Sequence, residues 1–336
     1  MAVRPARRVV IYPQPISAAD GLPLAGGWAR FRDVRLRDRD GRDEVVAADI
    51  LPGEVLDRLT RPRGPILGLS HDRPRLMGIL NVTPDSFSDG GQFAEDRAMR
   101  SGLDMMGRAD IVDIGGESTR PGATPVEPGE EVARILPAIH AAAGRRISVD
   151  TRKADVARAA LRAGAGAVND VSGLTFDPAM IDVVADAGAP VFVMHGPFDP
   201  ATMQDAPRYD DVVPDVFDFL AHRIAAAQEG GIPRDRIVAD PGIGFGKTLE
   251  HNLALLRALP LFHALGVPLM LGVSRKGMIG TLGGAPLAGD RMPGTLALTL
   301  AAVAGGVQWH RVHDVTQIAQ GLDLWRAVHG QTEAEG

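Results

Sequence analysis

The sequence predicts a (β/α)8 TIM barrel of the α/β class, preceded by an N-terminal β-rich extension. Eight short runs of mainly apolar, β-branched residues recur between positions 75 and 312, and helical segments rich in alanine and leucine separate them. Strands that are apolar throughout favour parallel pairing with both faces covered, and eight such units in about 250 residues match the size of a barrel. A doubly wound open sheet is the alternative, but the first strand lacks the G-x-G-x-x-G loop typical of that fold.

The individual elements follow from the hydrophobic periodicity. The predicted strands cover residues 75–82, 110–115, 146–150, 167–171, 189–195, 236–240, 268–274 and 307–312. Between them, apolar residues recur at spacings of three and four, which predicts helices. Clear examples begin at Asp96, Lys153 and His251, and the last is predicted to run to residue 266.

Residues 1–74 differ in character from the barrel segment. They contain short strand-like runs around turns, and Pro62, Gly64 and Pro65 precede the first barrel strand. The predicted organisation is an extension of unknown role over 1–74, a barrel over 75–330 and a short tail over 331–336. A β-rich flap or a partly ordered arm is the expected form of the extension.

Composition excludes several classes of protein. A net charge of −6 and a pI near 5.9 argue against a nucleic-acid binder, and the absence of an eighteen-residue apolar run argues against a membrane span. The N-terminus has early arginines, but its apolar run is brief and is interrupted by Pro13 and Pro15, which makes it a poor signal peptide. Without cysteine, disulfides and thiolate chemistry are excluded, so a cytoplasmic enzyme or binding protein is expected. Arginine outnumbers lysine so strongly that Lys153, Lys247 and Lys276 suggest places that need a compact charge, with an exposed helix as the alternative for Lys153.

Polar residues follow seven of the eight predicted strands, at the end where a barrel carries its chemistry. They are Asn81, Thr119, Arg120, Asp150, Asn169, Asp240, Lys276, Arg311 and His313. Each has a structural alternative: Asp150 as a helix cap, Asp240 in a turn, Asn169 bonded to its own backbone, His313 as a core histidine. Because burying so many polar groups is costly without partners, a polar ligand is predicted to complete them.

These residues divide into two patches. Asp150, Asn169 and Asp240 are rich in acceptors and suit a flat ring with several N–H donors. Lys276, Arg311 and His313 are cationic or donor groups and suit a phosphate. The side-chain carbonyl of Asn81 is a hard ligand of the kind that Mg²⁺ prefers.

Seven motifs in order resemble the dihydropteroate synthase family: "MGILNVTPDSFSDGG", "GGESTRPGA", "SVDT", "VND", "DPGIGFGK", "GVSRKGMIG" and "RVHDV". The resemblance covers about residues 75 to 314. It implies an alkyl transferase that condenses 6-hydroxymethyl-7,8-dihydropterin diphosphate with 4-aminobenzoate in folate biosynthesis, giving 7,8-dihydropteroate and pyrophosphate. It also implies Mg²⁺ as cofactor, sulfonamides as inhibitors and a homodimer, for which the last two apolar helices are candidates.

The resemblance also assigns roles to residues. Asn81 is expected to hold Mg²⁺, and Asp150, Asp240, Lys276, Arg311 and His313 are the expected catalytic groups. The expected pterin pocket is Asp150, Asn169, Asp240 and Lys276, with Met194 against the ring. The diphosphate is expected near Thr119, Arg311 and His313, and aminobenzoate near Phe87, Pro121, Phe245 and Lys276. Arg120 and Ser274 complete the predicted substrate-binding set.

One departure concerns Gly277, where the family often has a serine that is thought to contact the aminobenzoate carboxylate. Two alternative functions also remain at this stage. One is a methyltetrahydrofolate–corrinoid methyltransferase, which has no need of a diphosphate clamp. The other is a non-catalytic pterin-binding paralogue.

Overall fold

Eight parallel strands form the centre of the molecule, in a computed structural model that describes residues 10–82, 92–118, 125–196 and 207–330, with backbone alone for 92–98. The barrel strands are β5 (Arg75–Asn81), β6 (Ile111–Gly115), β7 (Ile147–Asp150), β8 (Ala167–Asp170), β9 (Val191–Met194), β10 (Ile237–Asp240), β11 (Met270–Leu271) and β12 (Trp309–Val312). All eight are buried along nearly their whole length, which confirms the prediction from their apolar composition.

The strand order closes the sheet into a barrel. Neighbours run β10-β9-β8-β7-β6-β5-β12-β11, every pair is parallel, and a parallel bridge between Ala239 and Leu269 joins the two outer strands. The (β/α)8 prediction is therefore confirmed. Parallel strands in a barrel direct their carboxyl ends toward one mouth, so the polar residues that end them meet there.

Helices cover the outside of the barrel between strands, as their periodicity predicted. They are α2 (Gln92–Met105), α3 (Pro128–Ala141), α4 (Ala154–Arg162), α5 (Met180–Ala187), α6 (Val212–Glu229), α7 (Leu249–Arg257), α8 (Gly277–Gly283), α9 (Met292–Ala304) and α10 (Val315–Val328).

The predicted helix from residue 251 to 266 is wrong in its second half. The α-helix α7 ends at Arg257, and residues Leu259–Leu265 form 3-10 turns instead. Pro260 explains the change. In a continued α-helix its ring would clash with the carbonyl of the residue four positions earlier, and proline has no backbone N–H to donate to that carbonyl. The segment is nevertheless buried, with Leu261, Phe262 and His263 inaccessible to solvent.

The residues before the barrel form a small antiparallel sheet and one helix. The strands are β1 (Tyr12–Ala18), β2 (Leu22–Pro23), β3 (Arg30–Arg37) and β4 (Asp43–Ala47), followed by α1 (Gly53–Thr60). Tyr12 Oη donates to Asp218 of α6 at 2.8 Å, and Trp28 Nε1 donates to the carbonyl of Val303 at 2.7 Å. The sheet is thus attached to the outer helices of the barrel.

The chain then passes under the barrel before entering it. Ile66 and Leu69 pair with each other across a tight turn. Both are buried in a cluster with residues from the beginning of the strands, including Met77, Phe192 and Trp309. The cluster fills the end of the barrel opposite the mouth. No helix within the described ranges is long and apolar enough to cross a membrane.

Candidate active site

A cavity of about 760 Å³ opens at the carboxyl ends of the strands. All the described members of the predicted site line it: Asn81, Asp150, Asn169, Met194, Asp240, Phe245, Ser274, Lys276, Arg311 and His313. The other four predicted residues, Phe87, Thr119, Arg120 and Pro121, lie outside the described residues. Side chains as far apart in the sequence as Asn81 and His313 are therefore brought to one cavity by the barrel geometry.

Arg311 joins the two patches that the sequence suggested were separate. Its Nη2 atom donates to Asp150 Oδ2 at 2.6 Å, and its Nε atom donates to Asp113 Oδ2 at 2.7 Å. Nη1 has no hydrogen-bond partner among the residues that the structure describes, and the side chain is 18% exposed. One edge of the guanidinium thus neutralises two carboxylates, and the remaining nitrogen is left for an anionic ligand.

Asp113 is a site residue that the sequence did not reveal. It lies in the middle of β6 and is completely buried, and it accepts from Ser148 Oγ at 2.6 Å and from Asn169 Nδ2 at 2.9 Å in addition to Arg311. It does not line the cavity but lies behind the residues that do. An acidic residue inside an otherwise apolar strand was the only available signal.

Two oxygen atoms at the floor of the cavity lack partners. Asp150 Oδ1 and Asn169 Oδ1 are buried and accept no hydrogen bond from the part of the chain that the structure describes. The two residues are paired in register on β7 and β8. An unpaired buried acceptor costs about 1–3 kcal/mol, so the arrangement favours a ligand with neighbouring N–H donors. The alternative of Asp150 as a cap of α4 is wrong, because the cap position there is Lys153.

Asp240 both forms a turn and faces the cavity. Its Oδ1 atom accepts from the backbone N–H of Gly242 at 2.7 Å. Gly242 has φ +68°, and a Cβ at that position would lie 1.9 Å from the carbonyl oxygen of His195. Only glycine permits this approach, so the turn that presents Asp240 depends on it.

Lys247 organises the loop that follows Asp240. Its ammonium is buried and donates to the carbonyls of Gly242 and Phe245, both at 2.9 Å, while its Nζ lies 2.9 Å from His195 Nδ1. The loop and the end of β9 are therefore held together at a single atom. The rarity of lysine in the sequence was the signal for this residue.

Lys276, at the end of the loop after β11, places Nζ 3.7 Å from the centre of the Phe245 ring. This cation–π contact holds a charge beside a flat apolar surface. On the neighbouring strand end, His313 Nδ1 lies 2.9 Å from Ser274 Oγ, which also accepts from the His313 backbone N–H at 3.0 Å. The aromatic and polar walls of the cavity are both held in place by these contacts.

Burial shifts the pKa values of the ionisable groups in this region. Desolvation raises the pKa of Asp150 to about 7, against the opposing charge of Arg311. Desolvation likewise raises the pKa of Asp240 to about 6, although the bond from Gly242 opposes this. The pKa of Lys247 falls to about 7 because its ammonium is removed from water. Because burial makes the ionised forms of Asp150 and Asp240 costly, hydrogen bonds from a ligand with N–H donors would stabilise these carboxylates.

Lys153 does not occupy the exposed helical position considered for it. It is 7% exposed, and its Nζ atom lies 3.0 Å from Glu117 Oε1 and donates to the carbonyl of Val126 at 2.6 Å. Glu117 Oε1 also accepts from the backbone N–H of Val126 at 2.9 Å. Lys153 therefore ties together the two described ends of the segment between β6 and α3.

Comparisons with known proteins agree over the barrel. A family model described as "Pterin binding enzyme" matches residues 77–313. The dihydropteroate synthase of Escherichia coli (strain K12) is 43% identical over 270 residues, which cover 79% of this chain and 94% of that protein. A Xanthomonas albilineans dihydropteroate synthase solved with 4-aminobenzoic acid has 48% identity and a TM-score of 0.73, over 80% of this chain and 98% of that one. A Yersinia pestis dihydropteroate synthase in a sulfonamide drug complex has 40% identity and a TM-score of 0.72, over 78% and 96%.

Proposed function

The chain belongs to the dihydropteroate synthase family of pterin-binding enzymes, and we propose how its cavity carries out the family's reaction. In that reaction, 6-hydroxymethyl-7,8-dihydropterin diphosphate condenses with 4-aminobenzoate to give 7,8-dihydropteroate and pyrophosphate, a step of folate biosynthesis. The observation that carries the assignment of roles is the division of the cavity into acceptors on β7, β8 and β10 and cationic groups on the strand ends β11 and β12.

The pterin ring binds on the acceptor side. Its amino group and ring N–H groups donate to the partnerless oxygens of Asp150 and Asn169 and to the carboxylate of Asp240. Met194 supplies an apolar surface for the face of the ring. Donors on the ligand thus relieve the desolvation of groups that the fold leaves without partners.

The diphosphate binds on the cationic side. Lys276, His313 and Arg311 all line the cavity. Asn81 lines the same cavity, and its side-chain oxygen is a hard ligand of the type that binds Mg²⁺ together with substrate phosphates. The described residues contain no cluster of three His, Asp or Glu side chains that could hold a metal ion. When bound there, Mg²⁺ supplies charge neutralisation of the leaving group.

The reaction then proceeds by electrostatic stabilisation. As the bond between the pterin methylene carbon and the diphosphate oxygen breaks, positive charge develops on the carbon. The carboxylates of Asp150 and Asp240 offset this charge, while Lys276 and Arg311 stabilise the departing anion. The aminobenzoate nitrogen attacks the carbon and loses a proton to solvent. Phe245, held by Lys247 and contacted by Lys276, is the surface against which we place the aminobenzoate ring.

An activity assay tests this function. The protein is given the pterin diphosphate, 4-aminobenzoate and Mg²⁺, and the release of pyrophosphate is measured. A corrinoid methyltransferase would instead transfer a methyl group from methyltetrahydrofolate and show no pyrophosphate release. A non-catalytic paralogue would bind pterin and show neither activity. Either result would overturn the assignment.

Sulfonamides are proposed to occupy the aminobenzoate position. The support is the similarity to the Yersinia pestis enzyme solved with such a drug and the flat ring of Phe245 with the Lys276 ammonium beside it. A sulfonamide should raise the KM for 4-aminobenzoate without changing kcat. Inhibition that is not relieved by excess aminobenzoate would contradict the proposal.

A homodimer through the last two helices is a further part of the proposal. Leu324 and Val328 are 65% and 82% exposed in the single chain, and their spacing of four residues places them on one face of α10. Light scattering should show a dimer in the native protein and a monomer for Leu324→Glu. Ile50→Glu is the matched control, because Ile50 is equally exposed, at 67%, but lies in the extension.

A cytoplasmic location is also proposed, since a diphosphate substrate cannot cross a bilayer unaided.

A further inference from the structure

Asp113 is completely buried behind the residues that line the cavity, and it does not itself line the cavity. We infer that it is a positioning residue: it fixes which atom of the Asn169 amide faces the ligand and thereby selects a ring edge made of N–H donors. The inference rests on the proposed function, because it takes a pterin as the ligand.

The hydrogen bonds of Asp113 decide the orientation of Asn169. Both oxygens of the Asp113 side chain accept hydrogen bonds, Oδ1 from the hydroxyl of Ser148 and Oδ2 from the guanidinium of Arg311. Because Asp113 acts as an acceptor at both oxygens, the amide atom that faces it is the nitrogen of Asn169. The amide oxygen is then directed away from Asp113 and remains without a partner in the described structure.

The orientation matters because Asp150 has the same character. Asp150 Oδ1 is also a buried acceptor without a described partner, and Asp150 pairs with Asn169 across adjacent strands. Two acceptors therefore stand side by side on β7 and β8. A rotated Asn169 amide would place a donor beside the acceptor of Asp150 and would favour a ring with a carbonyl at that edge. Asp113 prevents this rotation, since its carboxylate would then face the amide oxygen.

A purely structural role for Asp113 makes a different prediction. If Asp113 only neutralises Arg311, its loss weakens folding and lowers the affinity for every ligand by the same factor. If it orients Asn169, its loss changes the ratio of affinities between a ligand with a donor and one with an acceptor at the same position. The ratio therefore distinguishes the two roles.

The experiment compares the dissociation constants of 6-hydroxymethylpterin and 6-hydroxymethyllumazine, in which a carbonyl replaces the exocyclic amino group. We expect the native protein to prefer the pterin by roughly 100-fold or more, because a mismatched buried polar pair is strongly disfavoured. Asp113→Leu should reduce this ratio about tenfold, since one of several polar contacts loses its orientation. Asp113→Asn should retain the ratio, because its amide oxygen can still accept from Asn169 and Arg311.

Asn169→Leu provides the test that Asp113 acts through Asn169. This variant should lose the same share of the selectivity, and adding Asp113→Leu to it should change the ratio no further. An unchanged ratio in Asp113→Leu, or a further fall in the double variant, would overturn the inference. If instead the native protein binds neither compound, the proposed function itself is at fault.

A measurement on the native protein covers the case in which Asp113→Leu does not fold. Neutron diffraction of the complex with 6-hydroxymethylpterin should show the deuterons of the Asn169 amide on the atom that faces Asp113. Amide oxygen on that side, with deuterons directed at the ligand alone, would refute the inference without any variant.

Discussion

Lys247 Nζ lies 2.9 Å from His195 Nδ1, inside the protein and within reach of three backbone carbonyls, those of His195, Gly242 and Phe245. Desolvation lowers the pKa of both groups, that of Lys247 to about 7 and that of His195 to about 3. His195 is therefore neutral at pH 7, and protonation of Lys247 in the folded protein costs stability.

This relationship predicts a rise of stability with pH. Lys247 has a folded-state pKa of about 7 against a usual value of 10.5. Between these values the unfolded chain binds a proton that the folded chain lacks, so the free energy of unfolding rises by up to about 1.4 kcal/mol per pH unit. Urea unfolding at pH 7.5 and 9.5 measures the slope. Lys247→Met should flatten it, and an equal slope in the variant would contradict the assignment.

A second prediction concerns the ionisation of Asp150. Its pKa of about 7 in the free protein means that the carboxylate needed for catalysis forms as pH rises through that value. The kcat/KM for the pterin diphosphate should increase with pH across this region. Asp150→Asn should abolish that inflection and lower kcat by about 10²–10³-fold, because one anionic group that offsets the developing cation is lost.

Asp49→Asn is the control for Asp150→Asn, since Asp49 is an exposed carboxylate in the extension. It should retain both the rate and the pH profile. An Asp150→Asn enzyme that keeps the native rate would show that this carboxylate takes no part in catalysis.

The third prediction uses Gly277, the first residue of α8, which lines the cavity. Apart from its chain neighbours and the backbone of its own helix, no heavy atom lies within 4 Å of the position where a Cβ would be placed, and φ there is not in the left-handed region. Gly277→Ser should therefore fold normally. Its added hydroxyl should lower the KM for 4-aminobenzoate by a factor of about 3–10, the usual effect of one new hydrogen bond. An unchanged KM would show that the aminobenzoate carboxylate is out of reach of this residue.

The fourth prediction concerns acid stability. Trp309 Nε1 donates to His71 Nε2 at 2.9 Å, and burial lowers the pKa of His71 to about 4. The pKa of His71 is lowered from its usual 6.5 in the folded protein. Its stabilising contribution is therefore present above pH 6.5 and is lost as the pH falls toward 4. His71→Gln keeps an acceptor for Trp309 but does not titrate. The free energy of unfolding of this variant should fall less steeply between pH 6.5 and 4.5 than that of the native protein. The two slopes should differ by up to about 1.4 kcal/mol per pH unit, the effect of one proton.

The barrel was predictable from the sequence because its strands are apolar over their whole length and separated by segments of helical period. The strand ends were also predictable as a common site, since parallel closure brings them together whatever their separation along the chain. Element boundaries were less accurate. The strand predicted over 268–274 is formed only over Met270–Leu271, with one further bridge at Leu269, because the chain then leaves the ladder to build the loop that carries Lys276.

Asp113 and Lys153 show what local patterns cannot reveal. The partners of Asp113 lie 35, 56 and 198 positions away, and nothing near Asp113 in the sequence identifies them. Lys153 resembles the first residue of an ordinary surface helix, yet its carboxylate partners are 36 and 22 positions earlier. Whether a charged residue is buried depends on partners that only the folded chain brings near.

The hairpin at Ile66 and Leu69 also determines where this enzyme can be shortened or fused. The family match begins at residue 77. A truncation there would remove Ile66 and Leu69 from the cluster at the base of the barrel and would expose Trp309 and Phe192 to water. A minimal version must begin upstream of Ile66. The sheet that precedes it contacts Val303, next to the C-terminal end of α9 and so at the end of the barrel opposite the mouth. An affinity handle or surface tether added ahead of Tyr12 therefore leaves the route for substrates clear.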